Sequence, residues 1–305
     1  MQRIIGAPVF LPHPLQEWVP IRAKVRSNCV KVRNAENLSL NGTRRRISDM
    51  TNRTDLEQSV TSCLGGSPSS RDHFPDGPWQ FDERVVAVFD DMLRRSIPAY
   101  AQMRDLCFQL GKQFVQPGTS IVDLGCARGE GLEPLVRHFG KAIDFLGVDL
   151  SLPMLAAARA RFACLDASSH GDFRQLDLTH EYPQARASLT LCVLTLQFVP
   201  VERRQQILQD ALAQTCAGGC LILVEKIRGA TPLVDAMLIQ LYRRFKRSQG
   251  YSDDAIEAKE RSLQGVLVPL TASENEKLLS VAGFSEVECF WRHLNFAGWL
   301  ARKPG

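Results

Sequence analysis

No run of eighteen apolar residues occurs in the 305-residue chain, so no stretch of it reads as a membrane-crossing helix. The spacings of a zinc site are missing too. The nine cysteines include no C-x-x-C pair and have no histidine partner at the usual interval, which argues against a metal centre. Several of them, Cys126, Cys192 and Cys220, fall inside apolar runs, as reduced and buried thiols of a cytoplasmic protein do. No Gly-Lys-Ser/Thr follows the glycine-rich stretch, and no G-x-G-x-x-G occurs there, so neither a Walker loop nor a dinucleotide fingerprint is present. Internal repeats are absent.

Negative charge is in short supply, but only at one end. Of the net +4, residues 1–49 account for +6, with nine Lys and Arg against Glu17, Glu36 and Asp49, so the remainder carries −2. That remainder has no bulk charge for gripping a nucleic acid, and no direct nucleic-acid partner is expected. Residues 1–78 lack sustained periodicity and are rich in Pro, Ser, Asn, Gly and Arg. They read as a disordered or over-extended leader with Met50 as the true start, or as a transit segment, ahead of a folded domain spanning 79–305. With 45% hydrophobic residues, the chain can bury one large core.

What is present is concentrated in residues 119–150. Ile121, Val122 and Leu124 form a short apolar run, and Gly125, Gly129 and Gly131 follow at once, which predicts a buried strand, a tight turn and a helix. A second apolar run, Ile143 to Val148, ends in Asp149, where nucleotide-binding βα folds place the acid that takes ribose hydroxyls. The spacing Asp123-x-Gly125-x-x-x-Gly129 resembles the loop of class I S-adenosylmethionine (SAM) methyltransferases, which wraps an amino-acid tail and holds no phosphate. The bland alternative is a glycine-rich surface turn.

Amphipathic helices are predicted over 81–97, ending at Pro98, and from residue 99 or 100 to about 114. They would cover the mouth of the pocket. Ser151 should cap a helix carrying Leu155, Ala158 and Phe162. A short third strand closes on Asp177, the position that reads the adenine amino group in this fold class, unless Asp177 is merely a solvated turn residue. Residues 188–198 read as a central fourth strand, 200–215 as a helix and 220–226 as a fifth strand. Two helices fill 233–263, broken at Gln249-Gly250-Tyr251. The basic residues Arg243, Arg244, Lys246 and Arg247 of the first could meet an anionic substrate or RNA, but read better as a solvated face. A further helix over 271–282 and an antiparallel pair over 284–291 and 295–301 complete the pattern. The expected architecture is an α/β, Rossmann-like class I methyltransferase fold: a seven-stranded, mostly parallel sheet with a reversed C-terminal edge strand and helices on both faces.

Seven segments carry a closer likeness: Trp79-Gln-Phe-Asp-Glu-Arg-Val, Arg95-Ser-Ile-Pro-Ala-Tyr100, Phe114-Val-Gln-Pro-Gly-Thr, Asp123-Leu-Gly-Cys, Thr195-Leu-Gln-Phe, Phe245-Lys-Arg-x-x-Gly-Tyr-Ser and Asn295-Phe. Together they resemble carboxy-S-adenosyl-L-methionine (carboxy-SAM) synthase from about 79 to 303. That family takes carboxylate from prephenate onto the SAM methyl group, for modification of the tRNA wobble uridine. The resemblance implies that Tyr100 meets the cofactor from the helical cover, Gly125, Cys126 and Ala127 its methionine part, Asp149 and Leu150 its ribose, and Asp177 and Leu178 its adenine. Two positions depart. Val193 stands where the family has Asn, and Glu260 stands where the family has the Arg that clamps the transferred carboxylate, with Arg261 next to it. A guanidinium holds a carboxylate by a bidentate pair, and a glutamate repels it.

The expectation is therefore a SAM-dependent methyltransferase acting on a small-molecule acceptor, in the cytoplasm and apart from membranes. The alternative keeps the family reaction with prephenate, Arg261 replacing the clamp. A third reading is a catalytically silent SAM-binding module. The resemblance also implies a homodimer. His170, His180 and His293 are available as bases but are read as structural.

Overall fold

The computed structural model describes residues 77–163 and 170–305; the expectations for the leader lie outside the described residues. Helix α1 (Glu83–Ser96) starts where the Asp82 carboxylate accepts the Val85 N–H at 3.0 Å, and it stops ahead of Pro98. Its buried face, Val85, Phe89 and Met92, packs on Trp79 and Met154. Next come α2 (Tyr100–Gly111), β1 (Ser120–Leu124), α3 (Glu133–Phe139), β2 (Asp144–Asp149), α4 (Leu152–Ala163) and β3 (His170–Gln175). Then follow β4 (Ala187–Val193), α5 (Val201–Gln214), β5 (Thr215–Arg228), α6 (Pro232–Ser248) and α7 (Asp253–Leu263). The remaining elements are β6 (Leu270–Thr271), α8 (Ala272–Ala282), β7 (Glu286–His293) and β8 (Phe296–Arg302).

The strands lie in the order β3-β2-β1-β4-β5-β8-β7, with β6 beside the end of β5. β1 to β5 pair in parallel and β8 runs against both its neighbours, so the sheet is Rossmann-like with one reversed strand. Two details differ from the expected seven strands with a reversed edge. The two-residue β6 makes the sheet eight-stranded, and the reversed strand lies one place in from the edge, which β7 occupies. Side chains give the reason: β8 buries Phe296, Ala297, Trp299 and Ala301, whereas Glu286, Glu288, Arg292 and His293 of β7 are exposed, as suits an edge.

Alternation along the strands builds two layers. Ile121, Phe145, Leu189 and Ile222 meet α2, α3 and α4 on one face; Val122, Leu146 and Leu221 meet α5 and α8 on the other. The chain leaves β1 toward β2 and β3, then returns to β4 on the opposite side of β1. That reversal opens a crevice at the carboxyl ends of the two central strands. Leu124 pairs with Val148, so the turn at Gly125 emerges level with Asp149.

Candidate active site

Gly125 leaves β1 with φ +72°, and both its N–H and that of Cys126 donate to the Val148 carbonyl, at 2.8 and 2.9 Å. A Cβ on Gly125 would collide with Thr195, whose hydroxyl is fixed to the Leu124 carbonyl at 2.8 Å; one on Gly129 would lie 2.7 Å from the Phe162 ring. The turn is thus glycine-bearing because the fourth strand's loop and a helix press on it. Ala127, also in the left-handed region at φ +45°, donates its N–H to Oδ2 of Asp149 at 2.9 Å. Oδ1 of Asp149 takes the Ser151 N–H at 2.8 Å. Burial raises this carboxyl above its ordinary value despite those bonds. Two oxygens have four lone pairs, and with the backbone of Leu150 as a third donor one remains for a hydroxyl donor.

The crevice is a cavity of about 740 Å³. Tyr100, Gly125, Cys126, Ala127, Asp149, Leu150, Asp177, Leu178, Val193 and Arg261 all line it, so these ten are brought to one space; Gly129, His170, His180 and His293 are not among the lining residues. Their states differ. Tyr100 is half-buried at the start of α2, and burial raises its hydroxyl above the usual range. Burial drives the Cys126 thiol well above its ordinary value, so it is a packing group and not a thiolate. Leu150 is 62% exposed at the rim. Asp177 is bonded within its own turn: Oδ1 accepts Thr179 N–H and Oγ1–H at 2.8 and 2.7 Å, and Oδ2 faces His180 Nδ1 at 3.1 Å. These bonds hold its carboxyl below the ordinary value. Val193 ends β4 and offers apolar contact alone.

Arg261 lines the cavity but is largely open to solvent. Its side chain is 70% exposed and lies 3.7 Å from Glu257. Glu260, one residue away and therefore turned about 100° around the helix, is instead gripped by Arg243: Nε reaches Oε1 at 3.1 Å and the terminal nitrogen bonds Oε2.

Other side chains of the site receive no role from the sequence, although Asp123 belongs to the glycine motif. Asp123 and Glu130 are both pushed up to about 7, chiefly by burial, with Arg104 opposing the shift at Asp123 and Arg161 at Glu130. Arg161 reaches Glu133 at 3.0 Å, Glu130 at 2.8 Å and Asp90 at 3.5 Å, tying α1, α3 and the glycine loop to α4. Glu225, buried in β5 and pushed up to about 8 by that burial, accepts the N–H groups of Thr195 and Leu196 at 3.2 and 2.9 Å. It thereby fixes the loop after β4, whose first residue, Leu194, has φ +62°. Over the cavity, the Tyr242 hydroxyl donates to the Ser96 carbonyl at 2.8 Å, and the Ser96 hydroxyl meets Tyr251 at 3.1 Å and Lys259 at 3.3 Å. These contacts latch α1 onto α6 and α7.

Comparison with known proteins decides the family. A profile described as a methyltransferase domain matches residues 121–219. Over 231 residues the chain is 39% identical to the carboxy-S-adenosyl-L-methionine synthase of Wolinella succinogenes, covering 74% of this chain and 93% of that protein. The protein of the same name from Sodalis glossinidius is 31% identical over 256 residues, with 84% and 98% covered. The chain belongs to the carboxy-SAM synthase family. Among solved structures it is similar in fold to an O-methyltransferase family protein from Burkholderia thailandensis, at 17% identity and TM-score 0.53 over 83% of this chain and 70% of that one. The SAM-dependent methyltransferase SibL is similar too, at 16% identity and TM-score 0.51, over 83% and 69%.

As a member of this family the protein is a SAM-dependent transferase. The residues present fit that cofactor. The turn at Gly125 leaves backbone where side chains would otherwise stand, Asp149 keeps acceptor capacity at the next strand end, and the loop holds no phosphate-binding lysine.

Proposed function

We propose that the protein transfers the methyl group of SAM to a small-molecule acceptor. The observation that carries this reading is the Glu260–Arg243 pair: at the position the family resemblance gives to a carboxylate clamp stands a carboxylate with its guanidinium already engaged. A second carboxylate brought there would face Glu260. In this reading Gly125, Cys126 and Ala127 take the methionine end of the cofactor, Asp149 and Leu150 the ribose, and Asp177 and Leu178 the adenine, with Tyr100 and Val193 closing the sides. SAM supplies an electrophilic methyl group when bound. The protein's task is to orient the acceptor and exclude water.

A second reading keeps the family's reaction, in which prephenate is the carboxylate source and the product serves tRNA modification; identity of 39% across nearly the whole of a relative bearing that name favours it. One experiment separates the two. The protein is incubated with SAM and prephenate and the nucleotide product weighed. No carboxylated SAM is expected; carboxylated SAM would overturn methyl transfer as the main reaction. A silent binding module would consume no SAM with any acceptor.

The cytoplasm is the compartment we assign, from the buried cysteines. A homodimer is also part of the proposal. Leu233, Met237 and Leu241 recur every fourth residue along α6, exposed by 72%, 55% and 47%, an apolar stripe of the kind a second copy covers. Light scattering should give twice the chain mass, and Met237→Glu should halve it.

A further inference from the structure

Among the described residues, one buried and one partly buried lysine in the cavity wall have no counter-ion within 4 Å. Lys246, on α6, is 2% exposed, and Lys226, near the end of β5, is partly buried beside it; both line the cavity. Their ammonium nitrogens lie 5.2 and 4.9 Å from the centroid of the Tyr242 ring, and Lys246 lies 5.7 Å from that of Tyr251. Among the described residues no carboxylate comes within 4 Å of either. The acid that influences both, Glu260, is taken by Arg243 through both its oxygens, and Asp235 also acts on Lys226. Aromatic faces attract a cation but do not neutralise it. Burying two like charges side by side is costly unless something anionic joins them.

We propose that Lys246 and Lys226 form the acceptor's docking point, and that the acceptor is a ring-bearing molecule with an acidic hydroxyl, phenolic or enolic, held there as its oxyanion. This rests on the methyl-transfer reading and names its acceptor class. The hydroxyl proton passes to Nζ of Lys246 in its free-amine form, leaving an oxygen lone pair that faces two ammonium groups; no other bond changes in that step. Three observations support it beyond the missing counter-ion. The groups facing Lys246 set its basicity: burial and Lys226 lower it to about 8, Arg243 adds to that effect, and Glu260 opposes it, so a free amine is available near neutrality. Tyr242 and Tyr251 are themselves immobilised through Ser96, so the lysines sit against fixed walls. Phe81, Phe198 and Phe296 line the same cavity and give a flat ring apolar surface.

The test uses 4-nitrophenol, whose anion is coloured, with the full chain saturated with S-adenosylhomocysteine. Absorbance is read against pH for wild type, Lys246→Met and Lys226→Met. In wild type the apparent pKa of the phenol should fall by about one unit, a tenfold gain in bound anion. In Lys246→Met, which removes a buried charge at nearly constant length, the shift should disappear while calorimetry shows the nucleoside bound as before. No shift in wild type, or an undiminished shift in Lys246→Met, overturns the proposal. If Lys246→Met fails to fold, Lys226→Met decides in the same way. Loss of nucleoside binding by wild type would instead strike at the cofactor reading.

Discussion

The Ala127 N–H meets Oδ2 of Asp149 at 2.9 Å, and that one bond fastens the turn after β1 to the tip of β2. The same carboxylate holds Ser151, the cap of α4, so three elements depend on one side chain. Asp149→Ala should therefore cost structure as well as any contact to the proposed cofactor. With two backbone donors left without their acceptor, stability should fall by about 1–3 kcal/mol, and affinity for SAM by about tenfold or more. Calorimetric titration and a urea melt read the two separately; unchanged affinity would remove Asp149 from the cofactor site.

The glycine turn makes a second, graded prediction. Gly118 has φ +71° with open space around it, so Gly118→Ala incurs only the backbone cost, about 1–2 kcal/mol. Gly125→Ala adds a collision with Thr195, which is itself tied to Leu124, and should lose about 3 kcal/mol or more. Denaturant midpoints for the two variants check the order. If they match, Thr195 moves aside and the loop is softer than its bonds imply.

Stability should decline as pH rises through neutrality. Asp123 and Glu130 keep their protons to about 7 and Glu225 to about 8 because burial disfavours the charged forms. Below the ordinary carboxylate range both folded and unfolded chains hold these protons, and the groups add no pH dependence. Between that range and about 8 only the folded chain holds them. Unfolding then releases protons, and each costs about 1.4 kcal/mol per pH unit. Asp123→Asn should make the fall between pH 5 and 7 shallower by about one proton, seen in melts across a pH series. An unaltered slope would mean Asp123 is ionised in the folded state.

The domain boundary is the fourth expectation. A chain beginning at Gly77 should melt at the same temperature as the full chain and bind SAM equally well. A lower melting temperature would place part of the preceding segment within the fold.

How much of this was legible beforehand follows from which forces act locally. Strands, the Gly125 turn and the Ser151 cap could be read because periodicity, left-handed backbone and capping are short-range properties of the chain. Asp149 was legible because β-strand register puts one strand's end level with the next one's turn. Glu225, Arg161, Lys226 and Lys246 were not. Their roles arise from partners far away in sequence, and a lysine near the end of an apolar strand looks like any solvated terminus until α6 is laid over it. Asp149 and Asp177 looked alike in sequence, yet one binds the backbone of neighbouring elements and the other only its own turn. The reversed strand was foreseen, but its place in the sheet was not, since hairpin order says nothing about which arm meets β5.

That arrangement governs assembly. Among the described residues β7 pairs with nothing except β8, so the outer strand has no way to join until its successor is seated against β5. The hairpin must arrive as one piece. Any lesion that unseats Trp299 would strip two strands at once, leaving β5 bare along its length as a template for other chains.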